Sequence, residues 1–471
     1  MSRHSLALAA IVVVAIGIRI TYSVTTGDTL RMTPRDGQMA HNILADGRWF
    51  SLNMVSDEYV REVDDRAGRI LDPASIHYPP GTRGRWFAED NESVGAGAVM
   101  AGLWAVTGDQ RFIQMQVLQG LLDGLATLLV YWIAVQLFKR RGAALLAAAL
   151  YAVYPPIAWD TADPYTDIWA VDFTIAAVAI YFVAVKSSHR WRWWIACGVL
   201  AGIGAYFRPQ VILIAPVLAL VMVAATGRRE ALRRALVTGV VASLALVPWT
   251  IRNYEDFHAF IPTRSAFWQT MWGGLAEIPN GFGGDFKEGP IEAAIHRAHP
   301  NLMPESPEWD AYVKPYFIHA VEQHPLFYIE VLAHRAALAT VLVHENLWMR
   351  RGAGAVVGYR GGVLAFVVKH PFEALEYALQ PLVFLLAMLG LAFTWRRWRR
   401  QNAILLAVTL CVLVPYLAMH VEERYLLPAF FVYFIWIGLG ADLLIERVRH
   451  ALRSSSRVAR NRRTRAAPST A

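Results

Sequence analysis

Long apolar runs and short polar links alternate along the chain. Runs such as 6–18 and 211–225 carry no charged residue and approach the roughly 20 residues that cross a bilayer as a helix. The pattern predicts an all-α polytopic membrane protein with about ten transmembrane helices, in the range 10–12. The predicted spans are 5–24, 110–138, 142–159, 166–185, 193–207, 209–226, 235–251, 375–395, 402–419 and 427–446.

Two long loops, 25–109 and 252–374, interrupt this alternation and are rich in polar residues. We expect both loops to lie on the same side of the membrane and to carry helices in the interface. The second loop contains an apolar helix over 327–343, which either lies flat or pairs with 355–368 as two further spans. Histidines and an arginine interrupt this helix, and they favour the flat arrangement.

Basic residues concentrate at one end of the predicted spans. By the positive-inside rule these ends are cytoplasmic, so the two long loops face outward. A transmembrane domain over 1–451 is then followed by a basic tail, 452–471, which we predict to be cytoplasmic and disordered. The basic clusters are 139–141, 186–192, 228–234, 396–400 and 447–465.

Composition agrees with this pattern and excludes other classes of protein. Hydrophobic residues make up 56% of the chain and charged residues 17%, against about 25% charged residues in soluble domains. The net charge of +8 comes from basic residues that punctuate spans, whereas a nucleic-acid site needs a basic stripe on a folded surface. Cys197 and Cys411 lie inside apolar runs without CxxC or zinc-type spacing, and this favours packing.

Two arginines, Arg208 and Arg424, each lie where two predicted spans meet with almost no loop. An ionisable group at bilayer depth costs about 2.5–3.5 kcal/mol, and less near the interface. Arginines at this level suit a negatively charged lipid headgroup. Alternatively, both side chains reach for water or pair with nearby acids, which for Arg424 would be Glu422 or Glu423.

Asp36 follows the first span and precedes an amphipathic pattern formed by Ala40, Ile43, Leu44 and Trp49. The pattern predicts a helix on the membrane surface that holds Asp36 near the interface. A carboxylate placed there could act as a general base that activates a hydroxyl group. Asp is also a favoured N-cap residue, so helix capping is the alternative.

Other polar residues leave further alternatives open. His296 and His299 have a spacing compatible with a metal, but no third ligand is apparent in the sequence. Asp123 and Asp172 lie within predicted spans, where acids are functional candidates, so a transporter or lipid flippase stays possible. We find no internal repeat of the kind that many transporters carry.

The order of short motifs resembles the C-type fold of membrane glycosyltransferases, which includes protein O-mannosyltransferases and aminoarabinose transferases. The resemblance extends over nearly the whole chain, and PWTIRNY and ERYLLP are its most persuasive motifs. In chain order the motifs are Asp36, HYPPG at 77–81, a helix that ends near Gly108, YPP at 154–156, Asp163-Pro164, Arg208-Pro209, PWTIRNY at 248–254, His324-Pro325 and ERYLLP at 423–428.

The resemblance implies chemistry on the outer face of the membrane. It makes Asp36 the catalytic base and Asp163 a second acidic site residue, without a bound metal or cofactor. Family members often have Asp-Glu where this chain has Asp36-Gly37, so a paired acid is in doubt here. We predict that the substrates contact Arg35, His77, Tyr78, Arg208, Arg252, Glu423 and Arg424.

The predicted function is therefore transfer of a sugar from a polyprenyl-phosphate carrier to a cell-envelope acceptor. The acceptor is a lipid, a glycan or a protein, and the reaction inverts the anomeric centre in one displacement. The remaining expected partners are membrane lipids, and no nucleic acid. A multi-pass protein of the inner membrane with an outward-facing site is the predicted localisation, and a transporter or flippase is the alternative function.

Overall fold

The structure is a computed structural model and describes most of the chain. The described residues are 2–26, 34–47, 50–52, 86–88, 94–162, 166–187, 190–282, 289–299, 302, 306–341, 362–369 and 371–465.

The described residues are almost entirely helical. In chain order the elements are α1 (Arg3–Thr26), α2 (Pro34–Asp46), β1 (Phe50–Leu52), β2 (Trp86–Ala88), α3 (Val94–Thr107), α4 (Ile113–Phe138), α5 (Arg141–Val153), α6 (Pro155–Asp160), α7 (Asp167–Lys186), α8 (Arg190–Ala205), a 3-10 helix (Pro209–Leu213), α9 (Ile214–Val221), α10 (Val223–Thr226), α11 (Arg228–Phe257), α12 (Phe267–Gly273), a second 3-10 helix (Gly274–Glu277), α13 (Pro290–Ala298), α14 (Pro307–Gln323), α15 (Pro325–Val341), α16 (Gly362–Lys369), α17 (Pro371–Trp395), α18 (Arg399–Met419) and α19 (Glu423–Arg465).

Six of the described helices are long and apolar enough to cross a membrane, namely α1, α4, α7, α11, α18 and the Arg424–His450 part of α19. Shorter apolar segments are Val94–Thr107, Arg141–Val153, Pro209–Val221 and Pro381–Trp395. The predicted class of all-α multi-pass membrane protein is confirmed. Each predicted span overlaps a helix, although 142–159 is divided between α5 and α6, and 209–226 between the first 3-10 helix, α9 and α10.

One short antiparallel pair of strands lies in the first long loop, where β1 pairs with β2 and Phe50 lies opposite Ala88. Sequence reasoning did not predict this pair. Three residues are too few to show the alternation by which a strand is recognised.

Helix α19 lies at the centre of the bundle and packs against α5, α7, α17 and α18. Glycines allow its backbone to approach its neighbours closely. A methyl group at Gly438 would collide with the backbone of Ala143 on α5, and one at Gly390 on α17 would collide with Trp436. Small residues serve this purpose in membrane helices, where packing contacts drive association.

A buried ion pair joins α1 to α4. The guanidinium of Arg19 donates to the carboxylate of Asp123, and both side chains are fully buried. The hydroxyl of Tyr151, on α5, donates to the same carboxylate. Asp123, which kept the transporter alternative open, is therefore part of a contact that holds three helices together.

Arg19 also compensates for the break between α5 and α6. Its Nη1 donates to the carbonyl of Ala152 at 2.8 Å, and its Nη2 lies 3.4 Å from the carbonyl of Tyr151. In a continuous helix these carbonyls would accept hydrogen bonds from the residues four positions later, which are Pro156 and Pro155. Proline has no N–H to donate, so the arginine supplies the missing donors.

The second long loop forms a small core of its own, in which α12 packs against α14. Asp310 on α14 accepts hydrogen bonds from the backbone N–H groups of Gln269 and Trp268 and so caps α12. Helix α15 is not among the described helices that are long and apolar enough to span. Its flat orientation stays a prediction, and 355–361 lie outside the described residues.

Helix α19 continues to Arg465, whereas the sequence analysis predicted disorder from 452 onward. The segment after Gly440 contains no glycine or proline before Pro468. Alanine, leucine and arginine in this segment are strong helix formers, so the helix of the last span extends beyond the apolar residues. The cytoplasmic location of the tail stays a prediction.

Candidate active site

The candidate site lies where the two long loops join the bundle, and we call this region the loop end. It is formed by residues 160–162, 166–167, 205–209, 249–266 and 416–425. The basic clusters lie away from this region, where for example Arg140, just before α5, pairs with Asp442 and Glu446 in the middle of α19.

Arg208 lies between α8 and the first 3-10 helix, and only 4% of it is exposed. The helix break follows from Pro209, which is favoured at a first helical position and restricts the residue before it to extended backbone. Its guanidinium lies 2.6 Å from the carboxylate of Asp167, the first residue of α7. A carboxylate at a helix N-terminus also interacts favourably with the helix dipole.

The ring of Tyr425 brings the two predicted headgroup arginines together. The guanidinium carbon of Arg208 lies 4.5 Å from the ring centroid and that of Arg424 lies 5.2 Å from it. Tyr416 stacks on the same ring at 4.7 Å. Two residues 216 positions apart in sequence thus share one aromatic surface, and this surface can hold cations by their attraction to the ring face.

A chain of charged groups leads from Arg424 into the second long loop. Arg424 donates to Glu422 at 2.6 Å, and the Nε2 atom of His420 lies 3.1 Å from the other oxygen of Glu422. The Nδ1 atom of His420 lies 2.5 Å from Glu277, which also accepts a hydrogen bond of 2.7 Å from Arg335. The chain therefore fastens the second 3-10 helix and α15 to the start of α19.

These contacts determine the charge states of the acids. Burial alone would raise the pKa of Glu277, but the hydrogen bond from His420 and the charge of Arg335 outweigh it and lower the pKa. Burial likewise opposes ionisation of Glu422, whose pKa the charge of Arg424 and the hydrogen bond to His420 lower strongly. Both carboxyl groups are consequently ionised at neutral pH.

An apolar cavity of about 460 Å³ opens beside this cluster, between α3, α7, α8 and α11. Phe207, whose ring stacks on Trp169 at 5.1 Å, forms part of its wall. Arg208 directly follows Phe207 and Asp167 lies two residues before Trp169, and both belong to the charged cluster. The cavity is lined by Val94, Gly95, Ala98, Val99, Trp169, Phe173, Ile203, Tyr206, Phe207, Pro248, Trp249 and Arg252.

Residues of the PWTIRNY motif at the end of α11 hold the following loop in place and also line the cavity. The indole of Trp249 donates to the carbonyl of Thr263 at 2.8 Å, and the amide of Asn253 donates to the carbonyl of Ile261 at 2.8 Å. Both bonds fold the following loop back on the helix. Arg252 lines the cavity, pairs with Asp256 at 2.9 Å and lies 4.5 Å from the Trp249 ring centroid.

Helix α2 brings Asp36 to the same region. Met39 packs with Val94 and Trp249, two residues of the cavity wall. The helix begins at Pro34, so Asp36 lies in its first turn and not at the N-cap. The amphipathic helix predicted after Asp36 is present, and its buried face lies against α3.

The predicted site residues fall into three groups. The structure describes the side chains of Arg208, Arg252 and Arg424, and it brings Arg208 and Arg424 together. It describes the backbone of Arg35, Asp36 and Glu423, in α2 and at the start of α19. The positions of Asp163, His77 and Tyr78 lie outside the described residues. The roles of all nine residues stay predictions.

Sequence reasoning missed most of the groups that surround the arginines. Two of them could have been found from motifs. Asp167 lies close after Asp163-Pro164, and Tyr425 lies inside ERYLLP. No sequence motif or spacing indicated Glu277 and Arg335, because their partners are distant along the chain. Arg264 was also missed, and it is a half-buried residue of the loop that Trp249 and Asn253 hold.

Arg264 differs from the other arginines at the loop end. No carboxylate among the described residues lies within ion-pair distance of Arg264, although Asp310 and Tyr416 are close enough to interact with its charge. Arg208, Arg252 and Arg424 each have an acidic partner. Among the described residues, Arg264 thus contributes a positive charge that interacts with Asp310 but has no carboxylate at ion-pair distance.

The two histidines with possible metal spacing have aromatic neighbours instead. The ring of His296 lies 4.8 Å from that of Trp309, and the ring of His299 lies 4.5 Å from that of Tyr312. Within the ranges that the structure describes, no group of three or more His, Cys, Asp and Glu residues could hold a metal ion.

Comparison with known sequences matches the part of the chain that contains the cavity. Residues 91–251 match the family described as dolichyl-phosphate-mannose-protein mannosyltransferase. An undecaprenyl phosphate-alpha-4-amino-4-deoxy-L-arabinose arabinosyl transferase of Erwinia tasmaniensis is 31% identical over 145 residues, 28% of this chain and 26% of that protein. A protein of the same name from Pectobacterium carotovorum is 31% identical over 148 residues, covering 29% and 26%. The chain spans about a quarter of the length of these relatives.

Comparison with solved structures matches nearly the whole chain. The oligosaccharyltransferase of Archaeoglobus fulgidus, tethered to an acceptor peptide, has a TM-score of 0.53 at 13% identity, and the match covers 95% of this chain and 50% of that one. Identity at this level shows the fold alone. The chain is therefore similar to the mannosyltransferase family over residues 91–251, and its fold is similar to that of the archaeal oligosaccharyltransferase.

Proposed function

We propose that this protein transfers a sugar from a polyprenyl-phosphate donor to a cell-envelope acceptor, which is a lipid, a glycan or a protein. Residues 1–451 act as one transmembrane catalytic domain in this proposal. The protein lies in the inner membrane, and the loop end faces outward because the basic clusters mark the opposite ends of the helices as cytoplasmic.

One observation carries the proposal, which is that the apolar cavity adjoins the arginine cluster. A polyprenyl phosphate is an apolar chain attached to an anion. An apolar cavity can accept such a chain directly from the bilayer core, and arginine forms strong charge-assisted hydrogen bonds with phosphate. In the cavity wall, Phe207 directly precedes Arg208 of the cluster, and Trp169 lies two residues after Asp167. The apolar chain and the phosphate of such a donor therefore each have a complementary surface.

Arg264 supports the same assignment by its charge. The other arginines of the loop end already have acidic partners, whereas Arg264 has none among the described residues. A half-buried cation is costly unless a counter-charge arrives. The donor phosphate would provide that charge beside Tyr416 and Tyr425.

The matched sequences support the donor class. All cavity-lining residues except Arg252 lie within 91–251, the segment that matches the mannosyltransferase family. Both family and relatives carry a polyprenyl-type phosphate in their names, dolichyl phosphate in one case and undecaprenyl phosphate in the other. The sugar itself is left open, because the relatives named for aminoarabinose match this chain over only 28–29% of its length.

In the proposed reaction, Asp36 takes the proton from an acceptor hydroxyl as its oxygen attacks the anomeric carbon. The new glycosidic bond forms while the bond from the anomeric carbon to the phosphate oxygen breaks, so the anomeric centre inverts. The polyprenyl phosphate leaves with one more negative charge, which the arginines stabilise. Asp163 follows α6 and is the alternative base.

The decisive assay uses the purified protein in proteoliposomes with radiolabelled polyprenyl-phosphate sugars and envelope extracts as acceptors. We expect label to move from the donor to the acceptor, with release of one polyprenyl phosphate per sugar transferred. Movement of unchanged donor between leaflets, without transfer, would instead identify a flippase.

The arginines provide a second test in the same assay. Arg264→Gln is expected to raise the KM for the donor by about 10-fold to 100-fold with a smaller change in kcat, because one charged hydrogen bond contributes about 1.5–3 kcal/mol. Arg208→Ala and Arg424→Ala should also weaken donor use, although each leaves an acid without its partner. Arg111→Gln, at an exposed arginine near the start of α4, is the matched control. If all four variants had the donor KM of the wild type, Arg208, Arg264 and Arg424 would have structural roles only.

A further inference from the structure

His420 is held between two carboxylates on different parts of the chain. It lies in the link 420–422 between α18 and α19, with Nδ1 at 2.5 Å from Glu277 and Nε2 at 3.1 Å from Glu422. Ionised carboxylates only accept hydrogen bonds, and a neutral imidazole has a single N–H to donate. Both bonds therefore form only when the ring carries protons on both nitrogens.

The acids that face the ring are themselves held by arginines. Arg335 is fully buried, donates to Glu277, and uses its remaining N–H groups for the carbonyls of Ala418 and Gly274, each at 2.8 Å. Glu277 also accepts from the backbone N–H of Val421 at 3.2 Å.

On the other side of the ring, Arg424 donates to Glu422. The Tyr425 ring lies edge-on, with its centroid 6.1 Å from that of His420. The second 3-10 helix, α15 and α19 all meet at this histidine, so its charge state affects the contact between them.

We infer that His420 is a positioning residue which, as an imidazolium, clamps the second long loop to the α18–α19 junction and so holds Arg424 over Tyr425. The inference that donor binding depends on this clamp rests on the proposed function. The clamp itself depends only on the contacts among Glu277, His420 and Glu422.

The clamp depends on pH in a definite direction. Burial lowers the pKa of His420, but the hydrogen bonds and charges of Glu277 and Glu422 outweigh burial and raise it. A histidine whose pKa is raised in the folded protein contributes its full stabilisation below the unfolded value of about 6.5. That contribution is lost as the pH rises through the folded pKa. The clamp is thus closed below the raised pKa of His420 and opens as the pH rises through it.

Hydrogen exchange of the full chain in nanodiscs tests the clamp without any assay of transfer. With exchange times corrected for the intrinsic pH dependence, peptides covering 274–282, 325–341 and 417–425 should lose protection in the wild type between pH 6 and pH 9. His420→Gln should exchange about tenfold faster in these peptides at pH 6 already. It should also lack the further change with pH, because its amide is neutral throughout.

The conservative variant and a control separate positioning from packing. His420→Arg keeps a positive charge and donors toward both carboxylates at every pH, so it should stay protected up to pH 9. His334→Gln, on α15 beside Arg335, should behave like the wild type. The inference is overturned if His420→Gln keeps wild-type protection and pH dependence, or if His420→Arg is as exposed as His420→Gln at pH 6.

An activity measurement extends the test to the donor. His420→Gln should raise the donor KM more than it lowers kcat, and His420→Arg should restore the KM and flatten its rise at alkaline pH. If no variant and no wild-type sample transfers sugar while the exchange pattern is as expected, the proposed function fails and the clamp stands.

Discussion

Arg19→Met is expected to destabilise the protein by about 3–5 kcal/mol, which is the typical cost of leaving one partner of a buried ion pair alone. In this variant Asp123 would keep the hydroxyl of Tyr151 but lose its counter-ion in the middle of the bundle. The carbonyls of Tyr151 and Ala152 would also lose their donors at the break before Pro155-Pro156. The measurement is the thermal unfolding midpoint in detergent micelles, together with the amount of protein inserted in the membrane.

The double variant Arg19→Met/Asp123→Leu is the matched control. It removes both charges and leaves two neutral carbonyls, one hydroxyl and the neighbouring carboxyl of Asp172 without these partners, so it should recover part of the stability lost in the single variant. If Arg19→Met were as stable as the wild type, the pair would not be holding α1, α4 and α5 together.

This pair also bears on the transporter alternative. A transporter needs intramembrane charges that change partners as the protein alternates between states. Asp123 instead receives hydrogen bonds from two helices besides its own, and its arginine partner replaces donors that two prolines cannot supply. These contacts give Asp123 a structural role.

The spans were predictable from the sequence because hydropathy reports on the bilayer directly. A run such as 6–18 has few alternatives to a membrane helix. Hydropathy did not resolve the break in 142–159, where prolines divide one apolar run into α5 and α6. It also did not show the helical extension of α19 to Arg465, since that depends on local propensity and not on the membrane.

The site was less predictable because it is assembled from distant segments. The loopless positions of Arg208 and Arg424 indicated that both lie at the same membrane level, but no spacing indicated that they share the ring of Tyr425. Glu277 and His420 are 143 residues apart. Their contact depends on how the second long loop packs onto the bundle, and a single sequence carries no direct signal of such packing.

Asp36→Asn is expected to lower turnover by about 10²-fold to 10⁴-fold, the usual contribution of a positioned general base. Asparagine keeps the shape of the side chain but accepts no proton, and loss of the charge from the first turn of α2 costs only about 0.3–1 kcal/mol. Protein yield, unfolding midpoint and donor KM should therefore stay near their wild-type values while kcat falls. Asp46→Asn, at the other end of the same helix, controls for loss of a negative charge on α2 and should leave kcat unchanged.

Asp163→Asn decides between the two predicted acids in the same assay. Full activity of Asp36→Asn together with an inactive, folded Asp163→Asn would transfer the base role to Asp163, whereas a kcat loss confined to Asp36→Asn would assign proton abstraction to the helix that packs on the cavity wall.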